Sequence, residues 1–230
     1  MTDFSARWKT TDATIKANEI IAALKANKDI REFFDQPLLY DKYSEEDKYF
    51  NDLLDLRGIN FIQEDFSNCS FSHLNVSYCK FVGCNFSKVN FFNSRIHEST
   101  FDACSFSETM LDAVYGHRTA FKKSTFERAS FGSCFLVDSI FYGSNIANSN
   151  FSSARLVAPT FKDSTMISCD FSWARMTPTK SLVQLLKKNK SLLNLNEIEW
   201  LNRDGQNIKS PLNDSLWEIK NMIKEILPFK

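Results

Sequence analysis

The chain places an apolar residue at every fifth position, without a slip, from Leu56 to Met176. The series opens Leu56, Phe61, Phe66, Phe71, Val76, Phe81 and closes Phe161, Met166, Phe171, Met176. Of its 25 positions 24 are apolar and 15 are Phe, and Gly116 is the exception. Two residues before each centre the chain is small: from Cys69 to Ala174 that place holds Ser, Thr, Ala, Cys or Val in 20 of 22 cases, Leu74 and Pro159 being the others. The remaining three places are mostly polar. A period of five matches neither the 3.6 of an α-helix nor the 2.0 of a strand. It suits a chain that turns a corner after each short strand and sends one large and one small side chain inward. Stacked turns would then bury one continuous core.

Sorted by a period of 20, the centres fall into four columns. The first is Phe61, Phe81, Phe101, Phe121, Phe141 and Phe161. The second runs Phe66, Phe86, Phe106, Phe126, Ile146, Met166, and the third Phe71, Phe91, Leu111, Phe131, Phe151, Phe171. The fourth holds no Phe: Val76, Ile96, Gly116, Leu136, Leu156, Met176. The segregation of aliphatics predicts four sides and about six turns, a rod ~29 Å long at ~4.8 Å per rung. A central Phe or Leu, a small residue two places earlier and polar residues around them resemble the tandem pattern of the pentapeptide repeat family, over residues 56–177. The resemblance implies an all-β fold, a right-handed quadrilateral parallel β-helix with four pentapeptides per coil.

A solenoid has two raw ends, which expose strand edges and need caps. Both flanks read as helical: residues 1–55 as an N-terminal cap, 178–230 as a C-terminal cap or oligomerisation segment. In 12–34, Ile15, Ile20, Ile21, Leu24 and Phe34 recur at roughly helical spacing. Ser44 and Asp47 suit a capping box for a helix containing Tyr49, Phe50, Leu53 and Leu54. Pro178 reads as a first-turn proline, ahead of Leu182, Leu185 and Leu186. Ser210-Pro211 repeats that signal before a stripe of Leu212, Leu216, Ile219, Ile223 and Leu227. This last helix either caps the rod or joins two chains, since the resemblance includes members that dimerise through C-terminal segments.

Charge and motifs narrow the function. The 28 Lys and Arg equal the 28 Asp and Glu, which removes the basic footprint of a nucleic-acid binder and the strong acidity of a nucleic-acid mimic. No apolar run approaches the ~20 residues that span a bilayer, and the opening residues have no signal-peptide core. A cytoplasmic chain without a membrane partner is expected. There is no phosphate loop, dinucleotide fingerprint, GxSxG or HExxH, and no nucleophile beside an orienting base, so no enzyme activity and no cofactor are expected. His97 and His117, 20 apart, should stack on adjacent coils, but a metal site wants a third protein ligand, so none is expected. All six cysteines (Cys69, Cys79, Cys84, Cys104, Cys134, Cys169) take the small inward place. There a free Cys acts as a small buried hydrophobe. Cys84 and Cys104, one coil apart at ~4.8 Å, are within disulfide range. In a reducing cytosol they are expected to touch without bonding.

What remains is surface. The exteriors of the second and third columns are mostly Ser and Asn. The face around the aliphatic column carries Tyr78, Arg95, His97, Tyr115, His117, Arg118, Phe135, Val137, Arg155, Val157 and Arg175. Arg and aromatics are the types enriched in binding hot spots, and Phe135 and Val137 are expected to face water. This is the candidate partner-binding face; the competing reading is that the flanks fold back and cover it. Gly116 lies there as a missing centre, a vacancy that would cost ~2–5 kcal/mol unless filled. Either a neighbour such as Met110 or Tyr115 fills it, or the coil is bent there. The expected function is a non-enzymatic scaffold, a bacterial adaptor or effector that binds a protein, with a homodimer through 178–230 as an option. The family resemblance implies an alternative, since some members mimic B-form DNA and bind DNA gyrase or topoisomerase IV, protecting them from quinolones or peptide toxins. This chain departs from that pattern: residues 56–176 hold 11 Lys and Arg against 10 Asp and Glu, and no loop interrupts the repeats.

Overall fold

The structure is a computed structural model that describes residues 4–34, 53–189 and 192–210. The repeats wind into a four-sided parallel β-solenoid of about seven turns. The register is strict. Phe61 pairs with Phe81, Phe81 with Phe101, Phe101 with Phe121 and Phe121 with Phe141, each step one coil. Every Phe centre is buried, and they fill the interior in stacks. On the first side the rings lie 4.6–5.1 Å apart and within 22° of parallel. Neighbouring sides meet edge to face, as Phe61 and Phe66 do at 80°. Both are the offset or T-shaped geometries that aromatic quadrupoles favour.

The corners explain how such short strands can turn. From Gly58 to Trp173 the residue two places after a centre takes a left-handed backbone without exception, Asn68 at 62° and Lys123 at 50° for example. Most of these residues are not glycine, although that backbone is disfavoured for an L-residue by ~1–2 kcal/mol. The inter-coil ladder offsets this, since the corner amides donate to the next coil, as from Asn68 to Ser87 and from Arg118 to Val137.

The small inward residue does more than fit. The Ser99 hydroxyl donates to the Val76 carbonyl at 2.6 Å and accepts from the Cys79 amide at 3.2 Å. Ser124 repeats this with Phe101 and Cys104, and Ser144 with Phe121 and Ser124. Thr109 and Thr119 each donate in the same way. The cysteines imitate it weakly, Cys79 Sγ reaching Leu56 O at 3.1 Å and Cys104 Sγ reaching Phe81 O at 3.7 Å. All six are buried free thiols, and the Cys84 and Cys104 thiols both reach main-chain carbonyls, Phe61 O and Phe81 O.

Both ends are closed by helix. Helix α1, Thr11–Lys25, is capped by the Thr10 hydroxyl and buries Ala17, Ile20, Ala23 and Leu24 in the common core. Asn27 then hydrogen-bonds Asn68 O and the Ser70 amide on the first coil. The helix expected around Tyr49 and Phe50 lies outside the described residues, but its last two members differ from expectation. Leu53 is outside any helix and Leu54 opens the first strand, Leu54–Asp55. At the other end helix α2, Lys180–Asn189, buries Leu182, Val183, Leu185 and Leu186. Its cap is Thr179, whose hydroxyl accepts from the Leu182 amide, so Pro178 lies before the helix and not in its first turn.

Beyond α2 the described residues are not helical. Asn194 bridges Asp170, and Glu199–Trp200 pairs in parallel with Arg175–Met176. The chain has added another partial turn, stepping 24 residues where every earlier coil steps 20. Ser181 Oγ still accepts from the Phe161 amide 20 residues before it. Thus α2 stands in for two sides of this turn, and Leu195 and Trp200 resume the other two. The stripe from Leu212 to Leu227 lies outside the described residues.

Candidate functional site

The aliphatic side is built on strands Tyr115–His117, Phe135–Val137, Arg155–Val157, Arg175–Met176 and Glu199–Trp200. Their centres point inward, so the residues on either side of each centre face out in two columns. One column carries Arg95, Tyr115, Phe135, Arg155 and Arg175 in consecutive register. The other carries His97, His117, Val137 and Val157.

Gly116 does not distort this sheet. It pairs with Leu136 in the ordinary register. The expected vacancy is closed by its neighbours on the stack: a Cβ at Gly116 would lie 2.7 Å from Leu136 Cδ2, 2.8 Å from Thr119 Oγ1 and 3.2 Å from Ile96 Cγ1. Neither Met110 nor Tyr115 is the filler, and the coil is not bent. The coils above and below lean in because branched aliphatics, unlike Phe, can send a methyl sideways.

The flanks do cover part of the face. At the lower end Phe4 stacks on Tyr78 at 4.7 Å, the Arg57 guanidinium lies 4.4 Å from the Phe4 ring, and Trp8 Nε1 donates to Arg57 O. Gly58 is required there, since a side chain would meet the Phe4 backbone at 2.4 Å. At the upper end residues 201–208 double back, Leu201 bridging Asn207 and the Ile208 amide donating to Trp200 O. Arg203 of that return binds Asp138 at 2.6 Å, and Gly205 approaches Arg155.

The candidate residues therefore divide. Arg95 is buried and Tyr78 lies under Phe4. His97 is largely enclosed. Its Nδ1 accepts from the His117 amide at 3.0 Å, so this nitrogen holds the next coil and is not free for a metal. Burial, then Arg95 and His117 nearby, lower the His97 pKa to about 4. Burial also lowers that of His117, which lies 3.8 Å from Asp138. Phe135, Val137 and Val157 are half-buried and do not face water freely. Arg118 pairs with Glu98 one coil below, and Arg175 with Glu199 one coil above at 2.8 Å. Between these ends, among the described residues, a run crosses three rungs: Tyr115 meets Phe135 edge to face at 5.9 Å, and the exposed Arg155 lies 5.1 Å over the Phe135 ring. Among the described residues no three His, Cys, Asp or Glu gather as a metal-ligand set, and no helix is long and apolar enough to cross a membrane.

Sequence reading found the two columns, because a fixed period assigns each residue a side. It weighed that the flanks could cover this face but could not say where: the contacts of Phe4, Trp8 and Arg203 join distant parts of the chain and leave no periodic trace.

A four-sided parallel solenoid with a Phe-rich interior, a small inward residue beside each centre and closed ends defines the class. Residues 54–87 and 75–108 match the family model described as pentapeptide repeats, in eight copies. The chain belongs to the pentapeptide repeat family. No curated protein matches the chain. Among solved structures it is similar to trypsin-treated QnrB1, a plasmid-mediated fluoroquinolone resistance protein, at 16% identity over 65% of this chain and 84% of that one, with a TM-score of 0.42. It is also similar to HetL, a pentapeptide repeat protein involved in heterocyst differentiation regulation from a Nostoc cyanobacterium, at 11% identity over 70% of this chain and 96% of that one, TM-score 0.24. A third is a pentapeptide repeat protein of the Arabidopsis thaliana thylakoid lumen, at 16% identity over 50% of this chain and 74% of that one, TM-score 0.25. Likeness at this level says nothing of what the chain binds.

Proposed function

We propose that the chain is a non-enzymatic protein-interaction scaffold that docks a protein partner on a window of its aliphatic side. One observation carries the reading: Tyr115, Phe135 and Arg155 form a continuous half-exposed aromatic and guanidinium run on three rigid, successive rungs. Side chains held this way lose little freedom on binding, which is why such residues dominate interface energetics. His117 and Val137 form the second column of the window, while Arg118 and Arg175, already paired within the rod, mark its rim.

Affinity capture followed by mass spectrometry tests this. The full chain should retain a partner that the Tyr115→Ala, Phe135→Ala, Arg155→Ala triple variant loses at unchanged melting temperature. An equal set of partners from both proteins would remove the window from consideration.

Among the described residues the charge pattern does not favour the topoisomerase alternative. DNA mimicry needs a continuous acidic stripe. Along this rod the acidic residues at 98 and 108 are each matched one coil away by Arg118 and Arg128.

A further inference from the structure

The first side of the rod, with the all-Phe column behind it, is charged differently from the others. Elsewhere three exposed arginines pair with acids one coil away: Arg118 with Glu98, Arg128 with Glu108, Arg175 with Glu199. On the first side Lys80, Lys122, Lys123 and Lys162 are all exposed, and none has a carboxylate partner among the described residues. Asp102 and Asp163 are the acids on this side, and the four lysines outnumber them.

Within this basic field lies an apolar spot. Ile140 and Tyr142 flank the inward Phe141 on one strand, Ile140–Tyr142, so both point out, and they are 38% and 39% exposed. Tyr142 sits in register with Lys122 below, and the Lys162 ammonium above lies 5.9 Å from its ring centre. The small Ala120 lies in register beneath Ile140. Among the described residues, the contacts made by the two covering segments lie away from this spot. The contacts of Phe4 and Trp8 fall on Gly58, Arg57 and Tyr78, and those of Arg203 and Gly205 on Asp138 and Arg155. The side is otherwise a flat five-stranded parallel sheet running from Asn60–Ile62 up to Ile140–Tyr142.

We infer that this side is a second interaction surface, which takes an acidic protein segment carrying an apolar side chain. The apolar side chain sits on Ile140 and Tyr142, and carboxylates beside it meet Lys122, Lys123 and Lys162. Charge complementarity selects the segment: unpaired lysines around an apolar centre attract carboxylates before contact and orient the approach. The same lysines could attract nucleic acid or an anionic membrane. A protein segment fits better because the apolar spot is one side chain wide, because the basic residues are few, and because the chain is neutral overall. This surface is separate from the Tyr115–Arg155 window, although both concern protein partners.

Fluorescence anisotropy with a labelled twelve-residue peptide alternating Glu and Phe tests the inference on the full chain. The peptide should bind, weaken as salt rises, and lose at least tenfold in affinity in both Tyr142→Ser and Lys122→Glu/Lys162→Glu, whose far-ultraviolet circular dichroism and melting temperature are checked in parallel. A Glu-Ser peptide should bind at least tenfold more weakly. Equal binding of the Glu-Ser peptide, or no effect of either variant, would overturn the inference. So would tighter binding of oligothymidylate or of phosphatidylserine vesicles than of the Glu-Phe peptide. Binding that survives in Tyr115→Ala/Phe135→Ala separates this surface from the window on the aliphatic side.

Discussion

Replacing Gly116 by alanine forces one methyl carbon into space already used by three neighbours. It would stand 2.7 Å from Leu136 Cδ2, 2.8 Å from Thr119 Oγ1 and 3.2 Å from Ile96 Cγ1. None of the three can retreat easily. Leu136 and Ile96 are fully buried, and the Thr119 hydroxyl is tied to Ile96 O at 2.7 Å. Overpacking of this kind costs ~1–3 kcal/mol. The lost freedom of the unfolded chain returns only ~0.4–1 kcal/mol, because the Gly116 backbone is ordinary strand that alanine can adopt. The expected balance is a loss of about 1 kcal/mol for Gly116→Ala, and of more for Gly116→Leu, where three further carbons need room. Urea denaturation followed by circular dichroism reads this as a lower midpoint. The coupling is the sharper test. Leu136→Ala alone costs ~2–5 kcal/mol, but it also removes Cδ2, so the double variant should be more stable than the sum by about 1 kcal/mol. A raised midpoint in Gly116→Ala or Gly116→Leu would mean that the site is vacant after all. Strict additivity with Leu136→Ala would mean that the crowding lies elsewhere.

Three other outcomes follow from groups already described. Ser99→Ala leaves the Val76 carbonyl and the Cys79 amide without their hydroxyl and should cost ~1–3 kcal/mol, while Ser99→Cys, with its weak donor, should cost clearly less; equal costs in the melt would mean that size alone matters. His97 titrates about 4 when folded, against 6.5 ordinarily. A base with a depressed folded pKa is fully compatible with folding above pH 6.5, and its stability is lost as pH falls toward 4, by up to ~3 kcal/mol. His97→Asn should flatten that acid limb of the stability profile, and an unchanged limb would refute the assignment. Burial raises the Cys169 thiol to about 11, so native Cys169 should resist a disulfide reagent at pH 8 that labels it at once in denaturant; fast native labelling, read by peptide mapping, would contradict the inward placement.

The rod was legible because a five-residue period fixes both side and depth. Phe61 and Phe161, 100 residues apart, could be assigned to one column before any contact was known. The last turn was hidden by four residues. Leu195 and Trp200 keep the five-residue interval, but α2 lengthens their step to 24, so a search locked to one register passes over them. The inward Ser and Thr could be placed but not understood, since nothing in a small residue's position says that it hydrogen-bonds the coil below. Gly116 misled because a period marks a missing side chain as a hole, whereas Leu136 and Ile96 can lean and Phe cannot. As for the window, its columns could be read and its boundaries could not: Phe4 and Arg203 define them from outside the repeat.

On two of the four sides, helix α2 decides where the stack stops. Phe61 to Phe161 lie in register one above another, the arrangement by which identical segments in a fibril recruit further copies. A bare last rung would present an aligned strand edge and a half-filled aromatic layer, a template for any chain carrying the same five-residue word. By laying Leu182, Val183, Leu185 and Leu186 where the next two strands would form, α2 ends the template with a shape the repeat cannot copy. On those two sides it replaces a growing edge with a fixed end, and on the aliphatic side the return of residues 201–208 follows Trp200.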